Sequence, residues 1–383
     1  MGPREVERVL SKPHRARLAV AALFFANGFA FANWVTRIPQ VQHTLRLSDA
    51  KLGFALFGVA AGSLVAMPLV GLLVASRGSA GPSAFLAAAL CASLPLPGLA
   101  PNFGWLAAAL VLLGAANGGM DVAMNSQAAA VERAYGAPIM ASFHGVYSCG
   151  GLVGALMGGV FAAHRVGVLK HLAVVGLVLA AVVLVSSRFL LSAERGRTGP
   201  FFGRPDRALL GLAILAFCVL LGEGAVADWS AVFMVNVTSA GPDRAALAFA
   251  AFSLFMAIGR FAGDYLTRSF GPVTVVRTGA VLAALGLGCA LVVIHPSAAV
   301  VGFACVGAGF SCIFPSVVSA AARSRAMAAG TAIATVATAG YGGFLAGPPV
   351  IGLLSEASTL RVGLGVVVAL SVLLASLASA VRP

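Results

Sequence analysis

The 383-residue sequence contains few charged residues. Asp, Glu, Lys and Arg make up only 10% of the chain, whereas hydrophobic residues make up 60% and the mean hydropathy is +0.99. Soluble globular domains carry about 25% charged residues, so this composition excludes that class. Several uncharged stretches reach about 20 residues, which is enough to cross a bilayer as a helix. The sequence therefore predicts an integral membrane protein.

Sequence signatures of enzymes and metal centres are also missing. There is no HExxH motif, no GxSxG nucleophile elbow and no P-loop, and FAGD at 261–264 is not the GxGD of intramembrane aspartyl proteases. The six cysteines fall in apolar segments without CxxC spacing, which predicts small packing residues and no disulfide framework. We expect no enzyme activity, no cofactor and no metal site.

The gaps between charged residues predict twelve membrane spans. Single spans fit residues 18–34, 52–75, 138–163, 171–187, 209–235, 245–266, 326–355 and 362–381. Two longer uncharged runs, 78–120 and 278–322, must each fold back on themselves and hold two helices.

Basic residues outnumber acidic ones by 25 to 12, and membrane orientation explains this excess better than a nucleic-acid partner. With the N-terminus inside, most Lys and Arg residues fall on cytoplasmic connections and termini, as the positive-inside rule requires. The pattern predicts a bacterial cytoplasmic (inner) membrane protein with both termini in the cytoplasm. We expect a monomer in the lipid bilayer, with no nucleic-acid partner.

The two halves of the chain carry similar sequence signatures in corresponding spans. Span one contains Asn27-Gly28 followed by Asn33-Trp34, and span seven contains Glu223-Gly224 followed by Asp228-Trp229. Spans five and eleven each place a Tyr before a glycine-rich stretch. Such repeats are expected in transporters whose halves are related by an axis along the membrane normal. We predict an N-terminal bundle at 1–190, a cytoplasmic linker at 191–207 and a C-terminal bundle at 208–383.

The stretch NGGMDVAMNSQ, residues 117–127, places polar side chains inside an apolar helix. Asn117, Asp121 and Asn125 lie within about 80° of one another on a helix. A charged group in the middle of a span costs about 2.5–3.5 kcal/mol on insertion scales, so Asp121 should face a polar cavity or a partner. The functional interpretation is an acid that binds a proton or a solute. The alternative is a hydrogen-bonded Asp that only holds helices together.

Further candidates fall on other spans. We predict proton-coupling roles for Asp121, Glu223, Asp228 and His144, and solute-binding roles for Asn27, Asn33, Trp34, Asn117, Asn125, Trp229 and Tyr341. Glu223 and Asp228 are five residues apart, about 140° around a helix, and need not share a face. His144 could instead be a packing residue, and the two Trp residues could anchor the membrane interface instead of stacking on a sugar-like ring. Arg37, at the outer end of span one, is interpreted as an interfacial charge.

A basic and acidic pattern follows span eight. In GRFAGDYLTRSFG, residues 259–271, Arg260, Asp264 and Arg268 recur four residues apart and project from one side of a helix. The matching place after span two keeps Arg77 but has Ala75 where an acid would be expected. We predict a gating cluster made of Arg260, Asp264, Arg268 and Arg77, with plain surface charge as the alternative.

These features together resemble the major facilitator superfamily over essentially the whole chain. Three stretches, MDVAMNSQAAAVERAYGAPIMASFHGVYS, EGAVADWSAVFM and TVATAGYGGFLAGPPVIGLL, are similar to the MosC-like and YbjJ-like group, which is related to fucose-permease-type sugar symporters. The resemblance implies an all-α membrane protein with twelve helices in two pseudo-symmetric six-helix bundles. It also implies alternating access around a site between the bundles. Sugar symporters use an acid in span one and another in span four, and only the second role carries over here, to Asp121.

We therefore expect a secondary active transporter of a small polar, sugar-like solute, coupled to H⁺ or to Na⁺. Removal from water makes a carboxyl group easier to protonate, so Asp121 and Glu223 could load a proton on one side and release it on the other. One alternative is a proton-driven exporter of amphipathic compounds, although the Gly-Pro motif frequent in span five of such antiporters is missing. A non-transporting membrane receptor or assembly factor is the alternative from another class.

Overall fold

The computed structural model describes residues 3–136, 139–192, 207–323 and 329–382. The first half contains α1 (Pro3–Val35), α2 (Ile38–Thr44), α3 (Asp49–Arg77), α4 (Ala80–Ser93), α5 (Leu96–Leu99), α6 (Phe103–Tyr135), α7 (Met140–Ala163) and α8 (Val168–Ser187). The second half contains α9 (Arg207–Asn236), α10 (Pro242–Phe270), α11 (Pro272–Val293), α12 (Pro296–Phe310), α13 (Ile313–Ala322), α14 (Ala329–Ala357) and α15 (Leu360–Leu377).

The predicted spans correspond to these helices. Among the described residues, eleven helical segments are long and apolar enough to cross a membrane, and the predicted eleventh span is the 29-residue helix α14. Spans three and ten are each built from two consecutive helices, α4 with α5 and α12 with α13. The short helix α2, between spans one and two, was not predicted. Most of the predicted linker, residues 193–206, lies outside the described residues.

Local sequence signals set several helix ends. Ser48, Asn102 and Thr359 precede α3, α6 and α15, and each side chain accepts a hydrogen bond from a backbone N–H of the first turn. These contacts satisfy donors that have no partner within the helix. At the other end of α6, Gly136 adopts a left-handed conformation with φ of 73°, which stops the helix at little steric cost.

Helix contacts repeat between the two halves. In the first half α1 packs against α7 and α8, α3 packs against α6, and α4 packs against α8. In the second half α9 packs against α14 and α15, α10 packs against α12, and α11 packs against α15. The same neighbours therefore occur in the same order, and the predicted fold of two pseudo-symmetric six-helix bundles is confirmed. The bundles meet along two seams, α3 with α14 and α7 with α10.

Glycines allow the closest helix approaches inside each bundle. A Cβ atom on Gly28 of α1 would collide with the backbone carbonyl of Tyr147 in α7. In the matching helix pair of the second bundle the glycine is on the other helix, and a Cβ on Gly343 of α14 would collide with the carbonyl of Phe217 in α9. Small residues of this kind let membrane helices cross at short distance. Tyr147 is thereby brought close to α1, next to the space between the bundles.

The two bundles are linked at one membrane face. We name it the distal side, because it holds the end of α1 and the start of α3 and lies opposite the chain termini. There the Asn236 Nδ2 atom donates a hydrogen bond to Gln42 Oε1 at 3.2 Å, and the Ala50 backbone N–H donates to Glu356 Oε2 at 3.4 Å. The Gln42 amide also donates to Asp49 at 2.8 Å. Helix α2 thus ties α3 to α9 and draws the distal ends of the bundles together.

Candidate functional site

A cavity of about 310 Å³ lies between the two bundles. Its lining comes from α1, α3, α6 and α7 on one wall and from α9, α10, α13 and α14 on the other. The volume is at the lower end of the roughly 300–1,000 Å³ that small-molecule sites occupy. A ligand bound here would contact both halves of the protein at once.

The helical period explains which residues of α9 face the cavity. Leu220, Glu223, Gly224, Ala227 and Asp228 line it, and they follow the i, i+3, i+4, i+7, i+8 pattern of one helix face. This face is about 140° wide at 100° per residue, with Glu223 and Asp228 at its two edges. Both acids therefore reach the same cavity although they are five residues apart.

Glu223 of α9 forms an ion pair with Arg260 of α10, in the same bundle. Its Oε2 atom lies 3.7 Å from Arg260 Nη2, and the two side chains remain 15% and 25% exposed. Arg260 also donates from Nη1 to the Ser148 hydroxyl of α7 at 3.3 Å. Arg260 therefore connects an acid of its own bundle to a helix of the other bundle. Because water still reaches both partners, the pair can separate at modest cost.

Asp121 is held by one residue from each bundle. The Asn125 amide donates to the Asp121 backbone carbonyl at 2.8 Å and to the carboxylate Oδ1 at 3.1 Å. The Tyr341 hydroxyl of α14 donates to the same carboxylate. Asn125 does not line the cavity itself, whereas Asp121 and Tyr341 do. The carboxylate is thus a contact point between the bundles.

Three polar groups of the cavity have no protein partner among the described residues. The Asp228 carboxylate lines the cavity without any hydrogen bond or ion pair. The Nδ2 atom of Asn27, a side chain that is only 2% exposed, and the Oδ1 atom of Asn117 are buried without a hydrogen-bond partner. Buried polar groups in folded proteins are almost always hydrogen-bonded. These three groups mark positions where a ligand could supply the missing partners.

Aromatic rings form much of the remaining wall. Phe24, Phe31, Tyr147, Phe314, Tyr341 and Phe344 line the cavity. His144 also lines it and touches Phe24 edge-on, with ring centroids 5.4 Å apart. The surface available to a ligand therefore combines flat apolar faces with a few polar atoms, as in many small-molecule sites.

Besides Asn125, the structure places three further predicted solute-binding residues away from the cavity. Asn33 and Trp229 are fully buried, and Trp34 is 1% exposed. Asn33 follows Phe24 by nine residues and Trp229 follows Leu220 by nine, so each lies about 180° from the cavity face of its helix. Trp34 follows Phe31 toward the distal side, beyond the cavity. The aromatic contacts available to a ligand come from Phe and Tyr residues.

Arg37 is not the interfacial charge that the sequence suggests, because it is fully buried. Its Nε atom donates to Nδ1 of His171 in α8 at 2.7 Å, and its Nη1 atom donates to Gln40. His171 Nε2 in turn donates to Asn33 Oδ1 at 2.7 Å, and the Asn33 amide donates to the Phe29 carbonyl at 2.8 Å. This chain of bonds requires neutral His171 with its proton on Nε2. Sequence reasoning missed His171.

The predicted gating cluster is divided. Arg260 belongs to the cavity, as described above, because it turns toward Glu223 and Ser148. Asp264, Arg268 and Arg77 are exposed, and within the described part of the chain no ion pair joins them to one another. In this conformation the three residues are surface charges, and their gating role remains a prediction.

The chain is similar to curated bacterial membrane proteins along nearly its whole length. It is 36% identical over 379 residues to an uncharacterized MFS-type transporter of Yersinia pestis, covering 98% of this chain and 97% of that protein. It is 33% identical over 363 residues to the membrane protein MosC of Rhizobium meliloti, covering 93% of this chain and 88% of that protein. No protein-family model matches the sequence.

A solved structure with the same fold is that of a bacterial homologue of the human lysosomal transporter Spinster in an inward-facing, unoccupied conformation. The TM-score is 0.76 at 17% identity, and the likeness covers 97% of both chains. The relatives are transporters and not enzymes. The repeated helical bundles, the cavity between them and the relative from Yersinia pestis together show that this chain is an integral membrane transporter of the major facilitator superfamily, which carries a small solute.

Proposed function

We propose that the protein is a proton-coupled transporter of a small polar solute, which binds between the bundles and is exposed alternately on the two sides of the membrane. The observation that supports this proposal is a single cavity lined by acids of both halves, Asp121 from the first and Glu223 from the second. Ionisable groups at membrane depth are costly and usually serve ion or substrate pathways.

Asp121 is the group we assign to proton binding. An ionised carboxylate makes a charge-assisted hydrogen bond with the Tyr341 hydroxyl, and such bonds are about twice as strong as neutral ones. Protonation of Asp121 would weaken this bond between α6 and α14. A proton taken up from one side would thereby loosen a contact between the bundles, and its release would restore the contact.

Glu223 and Arg260 provide the second charge element. When Glu223 is ionised, it holds Arg260 near α9, and when Glu223 is neutral, Arg260 keeps its bond to Ser148 and is free to turn toward His144 and the solute. A polar solute that bonds Asn27 and Asn117 would sit between these two elements. We further propose that the protein lies in the bacterial inner membrane with cytoplasmic termini, and that it belongs to the MosC-like group, to which the identity with MosC lends support.

The test is proton flux in proteoliposomes loaded with a pH-sensitive dye. A thermal-shift screen of sugars, polyols and amino sugars would first select the solute, because a ligand of the native state raises apparent stability. We expect the selected solute to drive proton entry with the wild type and not with Asp121→Asn. Lys170→Gln, which removes an exposed charge of α8, is the control and should keep the flux. Unchanged flux with Asp121→Asn would exclude Asp121 from coupling.

A second candidate function is the export of amphipathic compounds, which the six aromatic rings of the cavity wall favour. A strain lacking the transporter would then become sensitive to a broad set of dyes and biocides. If the strain is not sensitive to any of these compounds and a polar solute drives proton entry, the first function is favoured.

A further inference from the structure

The cavity carries an excess of negative charge. Three carboxylates, Asp121, Glu223 and Asp228, line it against the guanidinium of Arg260. The ion pair between Glu223 and Arg260 balances one of these acids. Asp121 is partly compensated by the donors of Asn125 and Tyr341. Asp228 has neither an ion-pair partner nor a hydrogen-bond donor among the described residues.

Asp228 also lies in a place where an uncompensated charge is expensive. It is on the edge of the α9 face that lines the cavity, between bundles of apolar helices, and no cation or hydrogen-bond donor of the described residues reaches it. Two further polar atoms in the same cavity, Asn27 Nδ2 and Asn117 Oδ1, are buried and unpaired. A buried polar atom without a partner is destabilising. One free carboxylate, one free donor and one free acceptor thus define a three-part site.

We propose that the solute is an organic cation, a small hydroxylated molecule with one protonated amino group. Its ammonium group pairs with Asp228, and its hydroxyl groups accept from Asn27 and donate to Asn117. This inference rests on the proposed transport function and names its substrate class. An anionic solute would be repelled by ionised Asp228, and a neutral sugar would gain no ion pair with it.

The bonding pattern of an ammonium group fits the available atoms. Hydrogen bonds from N⁺–H to a carboxylate are shorter and stronger than bonds between neutral groups. A compact cation also interacts favourably with the faces of neighbouring aromatic rings, which Phe24 and Phe31 provide. Selectivity would come mainly from weaker binding of the wrong solutes, because a site built around an unpaired carboxylate penalises ligands that fail to neutralise it.

The experiment compares pairs of compounds that differ by one amino group. The probes are glucosamine against glucose, tris(hydroxymethyl)aminomethane against pentaerythritol, and 2-amino-1,3-propanediol against glycerol, with N-acetylglucosamine and glucuronate added. Purified full-length protein in detergent is titrated with each compound while its melting temperature is recorded. We expect at least one amine to bind at least tenfold more tightly than its neutral partner. N-acetylglucosamine and glucuronate should not bind.

Variants assign the preference to one side chain. Asp228→Asn should remove the preference for the amine, Asp228→Glu should keep most of it, and Asp264→Asn should leave it unchanged. The melting curves of the variants without ligand show whether each one is folded. If Asp228→Asn unfolds the protein, Asp228→Glu decides the question. Retention of the preference in folded Asp228→Glu supports the charge assignment, and its loss contradicts the assignment.

Several results would overturn the organic-cation assignment. These are equal binding of the neutral partners, preferred binding of glucuronate, absence of binding by every amine, or an unchanged preference in Asp228→Asn. A neutral sugar that drives proton entry through Asp121 would overturn this assignment and leave the transport function intact. If no compound binds and none drives proton entry, the proposed function fails as well.

Discussion

The side chain of Arg37 places a positive charge where water does not reach it. Arg37 is fully buried, and within the described residues it is bonded to His171 and Gln40 without a carboxylate partner. A guanidinium group is always charged, so its burial must be offset by hydrogen bonds of good geometry. His171 supplies the acceptor for Nε, and Phe161 holds the imidazole in place by stacking at 4.2 Å between ring centroids.

Replacing His171 should therefore destabilise the first bundle. We expect His171→Ala to lower the free energy of unfolding by about 1.5–3 kcal/mol, because a hydrogen bond to a charged group is lost and the Arg37 donor stays buried. The measurement is unfolding in mixed detergent micelles, followed by circular dichroism. His164→Ala, at an exposed histidine, is the control.

The partner variant separates packing from charge. Arg37→Met removes the buried charge together with its need for an acceptor, so the additional loss caused by His171→Ala should be smaller in the Arg37→Met background. A loss of equal size in both backgrounds would show that His171 acts by packing alone.

At this scale the helical period predicts location but not partners. The 100° rotation per residue puts Asn27 and Asp121 toward the bundle interior, and the structure places both at the cavity. The same rule would have turned Asn33 away from the cavity, but its bond to His171 depends on α8 packing against α1, which no local pattern reveals. Arg37 was misread because a basic residue near a span end normally lies at the membrane interface.

The closest helix crossings require glycine, because a single Cβ atom would collide with the neighbouring helix. Gly28→Ala would put a methyl group against the Tyr147 carbonyl, a backbone atom that cannot move aside without shifting α7. We expect a loss of about 1–3 kcal/mol in the free energy of unfolding, as for other overpacked cores. Transport should fall as well, since Tyr147 lines the cavity.

A matched glycine provides the control for this prediction. Gly81 lies in α4, and a Cβ atom built there meets nothing within 4 Å. Gly81→Ala should be neutral or slightly stabilising, because Ala is the better helix former. The comparison uses the same detergent unfolding measurement, and equal losses in both variants would contradict the crossing argument.

The positions of the long helices follow from the sequence, whereas their interruptions do not. Uncharged runs of about 20 residues have few alternatives to a spanning helix, since backbone polar groups must be satisfied within the bilayer. The division of span ten at Ser311 and Cys312 and the presence of α2 depend on how neighbouring helices pack. The spacing of charged residues along the sequence carries no information on such packing.

At the scale of the whole molecule, hydrogen bonds hold the two bundles together at the distal side. Gln42 is the central residue, since it donates to Asp49 of its own bundle and accepts from Asn236 of the other. If transport requires this side to open, a covalent bond across it should stop the cycle.

A cysteine pair tests this requirement. In a background without the six native cysteines, Gln42→Cys with Asn236→Cys should cross-link on oxidation, and solute-driven proton flux should fall at least tenfold and return on reduction. The control pair, Gln42→Cys with Asp49→Cys, joins two positions of the first bundle and should leave the flux unaffected. Full flux in the cross-linked protein would mean that the distal side need not open.

Internal repetition is the part of the overall architecture that the sequence reveals. Matching signatures in spans one and seven predict two related bundles, and the contacts of α1 and α9 repeat as expected. The seams of α3 with α14 and of α7 with α10 join residues about 100 or more positions apart. Such long-range contacts leave no local pattern in a single sequence.

The two related bundles contribute chemically different walls to the cavity. The first half contributes the free amide atoms of Asn27 and Asn117, and the second contributes the free carboxylate of Asp228 and the flat rings of Tyr341 and Phe344. Three unlike anchors at fixed positions can be satisfied together by only one of two mirror-image molecules. The protein should therefore distinguish enantiomers of a chiral cargo, and this handedness arises from the chemical difference between the two walls.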